Sequence, residues 1–476
     1  MPHLLTSTFV TSQLALRARR VNAHAERAAG EYVLYWMQSS HRFEDNWALR
    51  FATLAADRLG LPLLIHQGLD PTYEHASDRL HAFILHNARE LARRAATQGL
   101  TYQFVLRRRR GDDRRVVDRL AARAALVVTD DFPTAGVAER TQRLAARSDG
   151  RVVAVESHAI VPAALFTKEE YAARTLRPKV MAHLAHALEP VADAPPRRGM
   201  PESLRRSLAV EPLDLEGDFA AEIARCDIDH AVPPAPLVSG RTAALARLAA
   251  FCGDALPHYA ERRSEPADAE GSSRMSPYLH FGQVGAAEVA RSAIAAVGHA
   301  AAEPFLDELV TWRELALNFT LRNARYREIA ALPDWVQRTQ AAHAGDAREA
   351  HYGLEQLERA ATHHPLWNAA QRELVATGVI HNVMRMYWGK SVLMWSPTYA
   401  GAMRHLVHLN DKWALDGRDP SSYGGIQWCF GKFDRPWGER PVWGTMRSMS
   451  LERAYRKFDA KAYEQHWNGA TDDGER

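Results

Sequence analysis

A chain of 476 residues with 46% hydrophobic and 25% charged side chains has an ordinary globular composition. It exceeds what one core usually organises, so two domains are expected. A net charge of +3 excludes a strong global field toward nucleic acid, although a local basic patch still acts at short range in salt.

No stretch offers the roughly 20 apolar residues of a membrane span. Cys226, Cys252 and Cys429 lie far apart, which excludes a zinc ribbon and falls one ligand short of a four-thiolate iron–sulfur cluster. So large a chain without a cysteine framework points to a reducing compartment, the cytoplasm.

The first 30 residues are rich in arginine and carry no acid before Glu26. That pattern suits a transit peptide or an ordered arm leading into the first strand; we take the arm. An apolar, β-rich run at 31–38 is followed by helical spacing over 45–59 through Trp47, Leu49, Leu54 and Leu59. Strands are expected at Pro62–His66, Tyr102–Leu106, Ala125–Thr129 and Val152–Val155, with helices at 74–98 and 112–124 and one more before the last strand. This alternation predicts a parallel sheet with helices on both faces. Ligands of such sheets gather beyond the carboxyl ends of the strands, where the loop Asp130–Pro133 lies. No GxGxxG follows the first strand, so an ordinary dinucleotide site there is not supported. The run Arg107–Arg110 reads as a solvated loop.

Prolines punctuate 191–240 (Pro195, Pro196, Pro201, Pro212, Pro233, Pro234, Pro236), the mark of a surface connector, though one of unusual length. Beyond it strand signals nearly vanish. Helices are expected at 241–262, 285–297, 303–323, 353–362, 366–378 and 380–395. The chain therefore divides into an α/β part at 1–190, a linker at 191–240 and a mostly α-helical part at 241–476.

Two stretches of the helical part carry chemistry. Ser272–Ser276 offers small hydroxyls and backbone N–H groups at a helix start, suited to a phosphate or to plain N-capping by Ser273 or Ser276. In Pro365–Trp395 stand Trp367, Trp388 and Trp395. Trp388 and Trp395 are seven residues apart, about 10.5 Å of helical rise, and share a face. Such a stripe serves core packing or, because indoles can be oxidised and refilled in series, an electron relay.

Several blocks together are similar to one family: Tyr32–Gln38, Glu170-Tyr-Ala-Ala-Arg-Thr175, Ser276-Pro-Tyr-Leu-His-Phe-Gly-Gln283, Asp307-Glu-Leu309, Trp312-Arg-Glu-Leu315, Trp367–Trp395, Leu415-Asp-Gly-Arg-Asp-Pro420 and Asp434-Arg-Pro-Trp-Gly-Glu-Arg440. In this order, from about Arg17 to the end, the chain resembles the class II cyclobutane pyrimidine dimer photolyases of the cryptochrome/photolyase flavoproteins. The resemblance implies a Rossmann-like α/β domain, a linker and a helical FAD-binding domain. It implies a monomer that binds UV-damaged DNA and splits pyrimidine dimers by electron transfer from light-excited, reduced, anionic FAD to the flipped dimer. A deazaflavin or folate antenna is common in the family, and no residue here decides between them. No metal is implied.

The residue roles follow the match. Tyr259, Ser272, Ser273, Met275 and Ser276 would hold the FAD phosphate side. Arg385 and Asp416 would form an ion pair beside the flavin ring, and Asn410 would face its N5; read without the family, Arg385–Asp416 is a structural ion pair. Trp367, Trp388 and Trp395 would form the relay, with Tyr387 and Tyr352 as branches. Trp312 and Trp428 would wall the lesion pocket, stacking being worth about 1–3 kcal/mol per base. Glu308 would bond the thymine edge, with desolvation pushing its carboxyl up. Arg263, Trp437, Arg440 and Arg447 would hold the DNA backbone and fill the gap left by flipping, or form surface salt bridges.

Ser264, Leu317, His364, Ser422, Gly424 and Phe433 depart from the family pattern, at positions expected near the lesion pocket or its rim. A cryptochrome-like light sensor without repair activity is the alternative. A 6–4 photoproduct enzyme, which needs histidine acid catalysis at the lesion, would draw on His363, His364 or His381.

Overall fold

The computed structural model describes residues 8–190, 193–208 and 210–469. Six strands form one sheet: β1 (Ala18–Arg20), β2 (Tyr32–Met37), β3 (Leu63–Leu69), β4 (Thr101–Leu106), β5 (Ala124–Asp130) and β6 (Arg151–Val155). Their order across the sheet is β1-β6-β5-β2-β3-β4. Only the β1–β6 pairing is antiparallel. β5 is buried along its whole length, as a strand covered on both faces should be. The expected strands agree to within three residues at their ends. β1 was not anticipated: three residues reading Ala-Arg-Arg carry no strand signal, and it is the register Ala18↔Val155 that makes them one. It does place the arm from residue 8 onward as an ordered lead-in to the sheet. The first seven residues lie outside the described part.

The sheet's helices follow the hydrophobic spacing. Trp47–Leu59 begins where the Asn46 side chain accepts from the N–H of Leu49 and ends at Gly60, in the left-handed conformation at φ 64°. One face of the sheet packs on this helix through Val33, Tyr35 and Ile65, while the opposite face buries Tyr32, Leu34 and Val127.

The connector is more ordered than its prolines suggest. It forms short helices at Glu202–Ser207 and Phe219–Ile223. Leu215, Phe219 and Ile223 pack with Leu85 and Phe104, and Arg89 donates to the carbonyls of Leu215 and Gly217 at 2.5 and 2.6 Å. A wrap of this length is stabilised by apolar anchors set between the prolines.

Beyond it the described chain is helical. Two expected helices are interrupted. The 241–262 stretch ends at Gly253 and resumes as a 3₁₀ turn, Leu256–His258, and a single turn, Tyr259–Arg262. The 303–323 stretch is three segments: His299–Leu306, a π-helical turn Asp307–Trp312, and Arg313–Arg322. A π-turn closes i→i+5 instead of i→i+4 bonds, a choice that a stretch of helical spacing does not announce; such turns occur often at functional sites. Two further helices, Tyr399–Trp413 and Pro420–Cys429, complete the core around Trp367, Trp388, Leu406 and Ile426.

Sheet and helices are fastened by buried polar groups. Arg79, 1% exposed on the sheet-side helix Asp78–Gln98, donates to the carbonyls of Leu374, Val375 and Trp413 at 3.3, 2.6 and 2.7 Å. These carbonyls lie in the last turns of two helices, where backbone donors run short; that of Leu374 also accepts from the N–H of Gly378 at 2.9 Å. Glu314 accepts from the N–H of Ile160 at 2.7 Å, and burial pushes its carboxyl up to about 8.

Candidate active site

The helices Asn382–Trp395, Tyr399–Trp413 and Pro420–Cys429 meet around a narrow crevice. Arg385, Trp388, Gly389, Leu406, Asn410 and Cys429 are among its lining residues. A Cβ at Gly389 would meet the Cys429 sulfur at 2.7 Å, so a bare backbone brings these helices together. Arg385 donates to both carboxylate oxygens of Asp416, at 2.9 and 3.2 Å, and both side chains are largely buried. Asn410 is 3% exposed, and its amide donates to Asp411 at 3.0 Å. Asp411, fully buried, also accepts from the Tyr423 hydroxyl at 2.8 Å and the Arg418 N–H at 3.1 Å. It therefore fixes the orientation of Asn410. Asp411 was not singled out from the sequence; an acid directly beside Asn410 was the available signal.

On the expected phosphate side the picture changes in detail. Ser276 is exposed and opens a helix of only five residues, Ser276–His280, with no side-chain cap, so neither the capping by Ser273 or Ser276 nor a strong helix dipole is present. The Ser273 hydroxyl instead accepts from the N–H of Met275 at 3.4 Å, and Arg247 holds the carbonyls of Ser272 and Ser273 at 2.8 and 3.0 Å. Met275 and Tyr259 are buried, and burial pushes the Tyr259 hydroxyl up to about 12. Two further groups belong here. Arg274 adopts φ 51° and lies 3.8 Å from Glu373. His381, whose backbone N–H donates to Glu373 at 3.2 Å, has a buried Nε2 with no partner among the described residues. Burial, with Arg274 nearby, lowers this imidazole to about 4.

The three tryptophans are 0%, 2% and 3% exposed (Trp367, Trp388, Trp395). Trp367 stands between the other two. Its ring is stacked on Trp388 at 6.4 Å and edge-on to Trp395 at 5.7 Å. The ring contacts therefore run from Trp388 to Trp395 through the preceding helix. Both buried indole N–H groups are satisfied, Trp367 by the carbonyl of Trp388 at 3.0 Å and Trp388 by Gln371 at 2.9 Å. Trp388 also lines the crevice. Trp395 contacts Tyr352 and His363 at 5.4 and 5.2 Å, and the Tyr352 hydroxyl bonds His363 at 2.6 Å. Tyr352 thus extends the row outward, whereas Tyr387 packs on Phe458.

Glu308 and Trp312 lie on the π-turn. Glu308 pairs with Arg263, and its side chain is 31% exposed. Trp312 is half-buried, as is Trp428 on the helix Pro420–Cys429. That helix is capped by Asp419, whose carboxylate accepts from the N–H of Ser421 at 2.8 Å. It meets the Arg313–Arg322 helix at Gly424, where a Cβ would stand 2.8 Å from that of Ala316. Gly424 therefore sets how closely the helix carrying Trp428 approaches the one that continues from Trp312.

Trp437 is 37% exposed; its N–H bonds Asp434 at 3.2 Å, and its ring carries Arg435 at 4.5 Å and Arg447 at 5.0 Å. Arg440 and Arg447 are exposed and form no ion pairs among the described residues. The salt-bridge alternative therefore applies to Arg263 alone. Arg435 joins this basic, aromatic loop and was not singled out from sequence.

The departures at Leu317 and Phe433 do not lie on the rim. They are 3% and 8% exposed, with Phe433 edge-on to Phe319 at 5.7 Å. Ser422 donates to the carbonyl of Asp416 at 2.8 Å, Ser264 is exposed beside Arg263, and His364 sits near Tyr455 at 6.3 Å. The expected ligand end at Asp130 is filled by the chain itself: its carboxylate accepts from the N–H groups of Gln38, Ser39 and Ser40 and from the Tyr35 hydroxyl.

A family model for DNA photolyase matches residues 33–197. A deoxyribodipyrimidine photo-lyase of Methanothermobacter thermautotrophicus is 35% identical over 462 residues, spanning 96% of this chain and 99% of that protein.

The chain belongs to the DNA photolyase family.

Two solved structures share the fold of this photolyase. One is an archaeal photolyase from Sulfolobus tokodaii with two FAD molecules, with a TM-score of 0.66, 17% identity, and 91% and 89% of the two chains covered. The other is a Synechocystis cryptochrome, with a TM-score of 0.68, 15% identity, and 93% and 89% covered. The Sulfolobus structure holds FAD. The residues of this photolyase fit that cofactor: the Arg385 guanidinium, paired with Asp416, and the fixed Asn410 amide line one crevice, and Arg274 and the His381 Nε2, unpartnered among the described residues, offer donors near 272–276. Among the described residues no helix is long and apolar enough to cross a membrane.

Proposed function

We propose that this photolyase repairs cyclobutane pyrimidine dimers in DNA, in the manner of the class II enzymes. The observation that carries the reading is that Trp388, the inner end of an indole row, lines the same crevice as Arg385 and Asn410. Reduced FAD, when bound, supplies the light-driven electron donor that cleaves the dimer. The chain's residues do the rest. Arg385, beside Asp416, sets positive charge at the crevice and favours an anionic ring. Asn410, held by Asp411, presents a fixed amide. Trp388, Trp367 and Trp395 return electrons from the surface when the cofactor is oxidised. Trp312 and Trp428 stack on the flipped bases, Glu308 binds their polar edge once Arg263 swings to phosphate, and Trp437 with Arg440 and Arg447 holds the opened duplex.

The testing experiment combines an absorption spectrum with a lesion count on dimer-containing DNA, before and after blue illumination of the reduced protein. Flavin absorbance with falling lesion count is expected. Flavin absorbance with an unchanged count would favour the cryptochrome-like sensor. For a 6–4 enzyme a histidine must reach the lesion; His363 is instead committed to Trp395 and Tyr352.

A further inference from the structure

Lys390 lies on the helix Asn382–Trp395, in a stretch that is otherwise small or apolar, and is 1% exposed. Its ammonium donates to the carbonyl of Arg447 at 2.7 Å. It also lies 5.1 Å from the ring centroid of Trp428 and 5.2 Å from that of Trp443. It forms no ion pair among the described residues. A buried ammonium without a counter-ion is costly. Here two indole faces take the place of the missing carboxylate, an arrangement that is strongest when water is excluded. Arg447 approaches the same Trp428 ring, with its guanidinium carbon 5.7 Å from the centroid. The titratable and charged groups facing Lys390 are Cys429 on the neighbouring helix and Asp434 and Arg447 on the loop that follows; burial outweighs them and lowers the amine to about 8.

We propose that Lys390 is a positioning residue for lesion recognition: its ammonium clamps the Trp428 indole and the backbone at Arg447, so that an aromatic wall and a phosphate-binding cation are presented to DNA as one unit. The inference rests on the reading of Trp428 as a pocket wall. A lysine in a helix core that served packing alone would be replaced without loss by an apolar side chain of the same length. A lysine whose charge orders the wall would not.

Lys390→Met separates the two, because it keeps the stem and removes the charge. The readouts are thermal stability, flavin spectrum and dark affinity for a dimer-containing oligonucleotide. The variant is expected to be as stable as the parent or more so, since a desolvated charge is gone, with an unchanged flavin spectrum. Its lesion affinity is expected to fall about tenfold, the loss of one desolvated cation–π contact. In the parent protein lesion affinity should decline as pH rises through about 8, and in the variant it should be flat over the same range. A parent profile without that decline overturns the proposal, whatever the variant does. So does a variant that loses stability and affinity together while keeping the parent's pH slope, or one that binds as the parent does. Trp428→Ala is measured alongside: if it leaves lesion affinity unchanged, the pocket reading fails, and if it weakens affinity while Lys390→Met does not, the clamp alone fails.

Discussion

The indoles of Trp367 and Trp388 lie parallel, 7° between planes and 6.4 Å between centroids, and the N–H of the first bonds the backbone carbonyl of the second. Trp367 therefore bridges Trp388 and Trp395. Trp367→Phe should abolish photoreduction of oxidised flavin while leaving dimer repair by chemically pre-reduced protein within about twofold of the parent. Stability should fall modestly, by about 1–3 kcal/mol, because a buried indole and its hydrogen bond are lost. Transient absorption on the variant checks the first statement; photoreduction at the parental rate would remove the relay as assigned.

Asp411 accepts from Asn410, Arg418 and Tyr423 and is fully buried. Asp411→Ala strands three donors at once, so a loss of about 3–5 kcal/mol is expected, together with weak retention of FAD through gel filtration. Asn410→Ala should disturb the flavin spectrum with a much smaller change in stability. Denaturant titration of the two variants distinguishes them.

His66 is 1% exposed in β3, and burial lowers it to about 4. Its folded pKa lies below the unfolded one, so the unfolded chain takes up the extra proton first. Stability from this group is present at neutral pH and lost as pH falls from about 6.5 toward 4. Relative to the parent, His66→Gln should gain about 2 kcal/mol between pH 7.5 and pH 5. Chemical denaturation of both proteins at the two pH values measures the difference.

Gly424 allows the helix bearing Trp428 to touch Ala316. Gly424→Ala should push the two helices apart, costing about 1–3 kcal/mol and weakening lesion binding more than flavin binding. Equal affinity for a dimer-containing oligonucleotide in parent and variant would separate this contact from the lesion site.

Much of this was legible in the residues. The five parallel strands announced themselves because Val, Leu and Ala runs bounded by turn residues have few other uses. The tryptophans, Arg385, Asp416 and Asn410 stood out through the family blocks, and the structure brings Arg385, Trp388 and Asn410 to one crevice. What stayed hidden depends on partners distant in sequence. The Ala18–Arg20 strand exists only through β6. The π-turn at Glu308 depends on which carbonyl each N–H meets. Phe433 looked like a changed pocket residue until its packing on Phe319 was seen. The serines of 272–276 read as the start of a full helix because a five-residue helix and a longer one begin alike. Lys390 gave no signal at all, since its surroundings are two indoles contributed from 38 and 53 residues further along the chain.

One arginine on the sheet side closes off the ends of two helices of the other half. Were the second half of the gene expressed without the first, the carbonyls of Leu374, Val375 and Trp413 would lose the donor that Arg79 supplies. The helical half is thus not a portable module: shuffling or truncating this protein between its halves removes a buried cation from the very helices that present Trp367 and Asn410.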